Sequence, residues 1–161
     1  MGEIITLGNE ILRKDSINVE NIDDDLIAHL DEMFRMMRDG DGIGLAAPQA
    51  GINRCYFVCN IPEDKPREFI NPVITATSPE LSEIEEGCLS IPKIYAEVKR
   101  AAYVSVQAFD RRGKVFNLEA QGLLARVILH EYDHLKGVLF IDHISEKKRQ
   151  KLLKQYQRKA G

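Results

Sequence analysis

Residues 122–137, "GLLARVILHEYDHLKG", carry two patterns at once. Leu123, Leu124, Val127, Ile128, Leu129 and Leu135 make a stretch whose apolar density predicts a buried helix. Gly137 supplies its stop. Inside it, His130 and His134 stand four apart, which puts both imidazoles on one helical face. Two imidazoles on one face can hold one metal ion, with Glu131 beside it. Glu131 is rotated by about 100° from His130, so it is poorly placed as a ligand but can reach a water on the metal. The plainer alternative is a buried helix with two hydrogen-bonded histidines. That alternative has to accommodate His130, Glu131, Asp133 and His134 on one very apolar helix, where unpaired polar groups cost several kcal/mol. A metal is the simpler explanation.

Upstream, the texture is strand-like. "RCYFVCN", "EFINPVITA", "IYAEVKR", "AYVSVQAFD" and "KVFNLEA" are short, partly alternating runs between residues 54 and 120. "DRRG", residues 110–113, reads as a hairpin turn, and "IPEDKPRE", residues 61–68, as a polar loop. Before the strands, residues 22–38 keep a helical period through Ile22, Leu26, Leu30, Met33 and Met37. Asn21 can cap this helix, Asp23 to Asp25 suit its positive end, and Gly40 can end it. His29 reads as an ordinary residue of that helix, and its methionines as core. A last, strongly basic helix runs from about Ser145 to near the end. Helix, antiparallel strands, then helices predict an α+β fold. Antiparallel sheets pack around the buried His-Glu-x-x-His helix, with an N-terminal helix and a C-terminal basic helix. No linker splits the chain, so residues 1–161 are expected to form a single domain.

A third metal ligand is needed. His143 lies past the helix stop and is a weak candidate. Cys88, in "EEGCLSIP", is better: a thiolate suits Zn(II) or Fe(II), and Cys-His-His leaves one open position. Cys55 and Cys59 alternate with Phe57 and read as small core residues. Three cysteines, an odd count, argue against a disulfide framework. "GIGLAAPQ", residues 42–49, is no nucleotide fingerprint. Its glycines let another backbone approach, and Gln49 could offer an amide N–H to an oxyanion. On its own the stretch reads as a Gly/Ala turn.

Composition narrows the rest. At 44% hydrophobic the chain can bury a core, and a net charge of −3 gives no general affinity for nucleic acid. No apolar run is long enough to span a bilayer. The N-terminus lacks the basic flank of a secretory signal. It fits the short Met-Gly-x-x-x-Ser/Thr myristoylation pattern with Thr6 in place, which reads as coincidence.

"GIGLAAPQ", "EGCLS" and "HEYDH", in this order and spacing, resemble the three motifs of the peptide deformylases. "GNEILR" at the start and "FDRRGKVFNLEAQGLLARV" before the metal helix extend the resemblance over nearly the whole chain. The resemblance implies a hydrolase that removes the formyl group from N-formyl-methionine on newly made polypeptides. It implies one divalent metal ion per chain, natively Fe(II), with Zn, Ni or Co as substitutes. Cys88, His130 and His134 would hold it. Glu131 would move the proton, and the Gln49 side chain and Leu89 backbone N–H would meet the oxyanion. The substrate backbone would pair with Ile43, Gly44 and Gly87, and its methionine side chain would enter a pocket of Ile43, Ile84, Leu123 and Val127. Glu86 and Arg100 match an ion pair that supports the Cys88 loop in relatives.

Two positions depart from the family pattern: Leu129 stands where Gln is usual before the motif, and Lys93 where Gly is frequent. The tail from Glu146 to Gly161 has seven Lys/Arg and one acidic residue, about +6 locally. It resembles a C-terminal helix that contacts the ribosome in related enzymes. Leu152, Leu153 and Tyr156 would dock it. A solvated basic helix docked by those side chains is the alternative to a ribosome contact. The resemblance implies formyl-methionyl nascent peptides as partners and, under the contact reading of the tail, the ribosome, with no membrane, no DNA and a cytoplasmic location. The rival readings are a metalloprotease cutting internal bonds and a non-catalytic binding module of the same fold.

Overall fold

The computed structural model describes residues 3–160, with no side chain described at 160. The Met-Gly pair of the myristoylation pattern lies outside the described residues. The fold is arranged about a strand buried on both sides, β2 (Tyr56–Cys59). It lies in a five-stranded antiparallel sheet with β1 (Gly44–Ala46), β3 (Arg67–Thr77), β6 (Tyr103–Phe109) and β7 (Val115–Gln121), in the order β1-β2-β3-β6-β7. Alternate β2 side chains go to opposite faces. Tyr56 and Val58 meet the first helix, α1 (Asp24–Asp39), through Leu26, Leu30, Met33 and Met37. Phe57 and Cys59 face the other way, onto Val127 and Ile128 of α2 (Gly122–Leu135). The Phe57 and Phe69 rings stack there at 4.6 Å. Each such fully buried large side chain contributes about 1.5–3 kcal/mol. Cys55 and Cys59 sit in this same cluster as free thiols.

Asp23, not Asn21, caps α1: its carboxylate accepts from the Leu26 N–H at 2.9 Å. Of several adjacent capping residues, the one adopted puts Leu26, Leu30, Met33 and Met37 against the sheet. His29 places Nδ1 2.7 Å from the Tyr56 hydroxyl. Asp110 anchors the β6–β7 turn, accepting from the N–H groups of Arg112 and Lys114.

β4 (Leu81–Cys88) and β5 (Ile91–Ala101) form a separate two-stranded sheet. Sequence periodicity misses β4, because Glu83, Glu85 and Glu86 dilute its alternation. A third cluster closes this side: Ile91, Ile94 and Val98 of β5 against Leu139, Phe140 and Ile141. Leu152, Leu153 and Tyr156 of α3 (Glu146–Ala160) pack onto it. Residues 5–19 lace across the molecule. The Ile5 and Leu7 N–H groups bond the carbonyls of Gln49 and Ser90, and the Ser16 N–H bonds that of Leu135. At Gly137, with φ +74°, a Cβ would stand 2.6 Å from the Arg13 carbonyl oxygen, so the chain passes too closely for any other residue.

Candidate metal centre and active site

α2 is apolar where it meets the sheet and polar along one stripe. Arg126, His130 and His134 follow at steps of four, so they share a face that turns toward β4. β4 ends in Cys88 at the tight turn that returns through Ile91. The outcome is a thiol and two imidazoles whose donor atoms all lie within 4.8 Å of one another. Cys88 Sγ is 3.3 Å from His134 Nε2. His130 commits Nδ1 to Glu86 Oε1 at 2.8 Å, which leaves Nε2 for the centre. One soft thiolate and two imidazoles suit Fe(II) or Zn(II), so the residues present fit a divalent ion. Cys88, His130 and His134 are thus brought together as expected. His143 is not: its Nε2 sits 2.7 Å from Asp133 Oδ2, exposed.

A buried ionic network holds the arrangement. Glu86 accepts from two nitrogens of Arg100, Nε at 2.6 Å and Nη2 at 3.0 Å, and is also bonded by Arg126. Arg100 reaches on to Asp133 at 2.8 Å. Burial works to raise the Glu86 carboxyl, but His130 and Arg100 outweigh it and hold the group at about 2. Ionised Glu86 then fixes the tautomer and tilt of His130. Arg126 also bonds the carbonyls of Val98 and Ser82, pinning α2 to both β5 and β4. Its signal in the sequence was a lone arginine inside an apolar helix, one turn before His130.

Glu131 is 4% exposed, and its Oε1 makes no hydrogen bond to the described protein. Burial pushes its carboxyl up to about 7, with His130 and Arg100 pulling the other way. A carboxylate poised near neutrality suits proton transfer. Gly44 makes room for it: a Cβ there would lie 2.6 Å from Glu131 Oε2 and 2.9 Å from Val127.

Gln49 lies opposite, 1% exposed. Its Oε1 accepts from the Ala46 N–H at 2.9 Å, so its Nε2 is the end that faces Cys88 Sγ, at 3.5 Å. The same nitrogen donates to Ser90 Oγ at 3.0 Å. Ser90 was not singled out from the sequence.

These groups open into a cleft of about 590 Å³. Ile43, Gly44, Gln49, Gly87, Leu89, Leu123 and Val127 line it, together with Cys88, His130 and Glu131. Lys93 and Tyr95, at the rim, line it as well. Ile84 does not. It lies two residues before Glu86 on β4, 42% exposed and outside the cleft.

A family model described as polypeptide deformylase matches residues 1–150. The chain is 51% identical to the peptide deformylase of Treponema pallidum over 154 residues, covering 96% of this chain and 94% of that one. It is 46% identical to that of Chromohalobacter salexigens over 158 residues, covering 97% and 93%. Among solved structures, the peptide deformylase of Ehrlichia chaffeensis superposes with a TM-score of 0.95 at 33% identity, covering 100% of this chain and 97% of that one. That of Synechococcus elongatus, in complex with actinonin, gives 0.92 at 40% identity, covering 96% and 86%.

Proposed function

The chain belongs to the polypeptide deformylase family, and from that premise we propose that it hydrolyses the formyl group from N-formyl-methionine on newly made polypeptides. The observation that carries this reading is the pairing around Cys88, His130 and His134: the Glu131 carboxylate on one side and the Gln49 amide N–H on the other. A divalent ion held by those three residues, proposed as Fe(II) with Zn, Ni or Co as substitutes, would supply activation of a water and polarisation of the formyl oxygen. Glu131 accepts the proton of the attacking water and delivers it to the departing amine nitrogen. The Gln49 Nε2–H and the Leu89 backbone N–H donate to the oxygen on which charge develops. β1 is an edge strand, so an extended substrate can pair beside Ile43 and Gly44, with Gly87 across the cleft. Ile43, Leu123 and Val127 receive the methionine side chain.

Formate release from formyl-Met-Ala-Ser, against an unformylated control, tests the reaction. Glu131→Gln should retain the metal and lose about 10²- to 10⁴-fold in kcat. Wild-type turnover in that variant would remove Glu131 from the mechanism, and cleavage of internal bonds instead of formate release would favour a protease.

The single domain and a cytoplasmic site of action belong to the same proposal. No described helix is long and apolar enough to cross a membrane. So does ribosome contact through α3, whose Lys147, Lys148, Lys151, Lys154, Arg158 and Lys159 are exposed. Binding through phosphates should weaken steeply with salt. Deleting residues beyond Leu153 also removes Tyr156 from its packing, so reversal of Lys147, Lys148, Lys151 and Lys154 to Glu is the cleaner variant. Co-sedimentation equal to wild type at low salt would sink the contact.

A further inference from the structure

Gln49 is gripped at both ends of its amide and at its main chain. Oε1 is fixed by the Ala46 N–H, and Nε2 by Ser90 Oγ. The Gln49 carbonyl accepts from the Ile5 N–H at 2.7 Å, and the Ser90 carbonyl accepts from the Leu7 N–H at 2.8 Å. Ile5 and Leu7 are two residues apart in the chain, and both N–H groups turn toward the Gln49–Ser90 pair. A single strap therefore ties the main chains of Gln49 and Ser90 together while the side chains bond directly. Both residues are wholly buried, Ser90 at 0% exposure.

A primary amide turns easily about its last torsion, whose profile is broad. The bond from Ala46 decides which end is oxygen, because an N–H can only be accepted there. It leaves the amide plane free to rock. The second bond removes that freedom: with one Nε2 hydrogen on Ser90 Oγ, the other is aimed toward the Cys88 side of the cleft. We propose that Ser90 is a positioning residue, which acts through Gln49 by locking the plane of its amide so that the remaining N–H meets the developing oxyanion. This rests on the deformylase reading of the same site.

Deleting a whole oxyanion donor costs about 10²- to 10³-fold in kcat. Mis-aiming one should cost part of that, about 10- to 30-fold. Ser90→Ala is expected to lower kcat by this factor, keep full metal content and leave KM within about twofold. In a Gln49→Ala background the same change should cost less than about twofold, because there is no amide left to aim. Equal losses in both backgrounds, or none in the wild type, would overturn the proposal. Formate release by the wild type separates this outcome from failure of the deformylase reading itself. A second measurement needs no variant. In the zinc-loaded protein, one Gln49 side-chain amide proton, the one held by Ser90, should exchange slowly with solvent by NMR. Rapid exchange of both protons would equally overturn it.

Discussion

At position 44 even a methyl group is too large. Glycine there is required by distance and not by backbone conformation, since the displaced atom would be Glu131 Oε2. Gly44→Ala should fold, because the glutamate can swing aside, but the base would then stand about 1 Å from its place. Displacements of that size cost about 10²-fold, so kcat should fall by roughly that factor with circular dichroism unchanged; normal turnover would show that Glu131 is not confined by Gly44. The centre was legible at this scale to the extent that its chemistry is local. Helical spacing alone brought His130, Glu131 and His134 to one turn. Cys88 had to be chosen on the chemistry of its thiol. Ser90 and Arg126 stayed hidden because their partners Gln49 and Glu86 lie 41 and 40 positions away, and no short pattern records such a bond.

Elements were legible where their faces differ. α1 and α2 declare themselves through period and burial, while β4 is charged on both faces and was lost among its glutamates. How elements lock together was legible only in part: the Glu86–Arg100 pair and the docking of α3 by Leu152, Leu153 and Tyr156 were expected, but the seam beside α3 was not. Arg13 donates to Asp142 at 2.6 Å, the Leu139 N–H bonds the same carboxylate at 2.9 Å, and Arg149 of α3 stands 3.8 Å away. Partial burial works to raise Asp142, but the Arg13 and Leu139 hydrogen bonds hold it below its ordinary 3.8. A depressed carboxyl stabilises the fold above its ordinary value, and that contribution disappears as pH falls through the folded value. Asp142→Asn should therefore cost about 0.5–1 kcal/mol at pH 7, discounted for the half-exposed Arg13. The difference should shrink as pH falls below 3.8 and vanish once the folded carboxyl is protonated. Urea midpoints for both proteins at pH 7 and along an acid series check this; a gap that stays constant into acid would mean the carboxylate charge is not what holds the seam.

Across the whole molecule, the proposed metal site ties the small sheet to α2, with Cys88 from the small sheet and both histidines from the helix under the large one. Removing a bound ion should loosen that joint and not the large sheet. Chelation is expected to speed hydrogen exchange in β4 and β5 while β2 and β3 keep their protection. Loading at about a thousand times Kd should stabilise the protein by about 4 kcal/mol. Cys88→Ser should abolish both effects and metal content together. Cys55→Ser and Cys59→Ser should keep the ion, and full metal in the Cys88 variant would refute the ligand set. The lacing of the first residues has a different consequence, one of timing. Ser16 waits for Leu135, Arg13 for Asp142 and Leu7 for Ser90. A chain made from its N-terminal side can close each of these bonds only after the later partner has been made. Ile5 meets Gln49 early and Leu7 meets Ser90 midway, whereas Arg13 and Ser16 wait for Asp142 and Leu135. The strap therefore docks in stages, its inner end before its outer one.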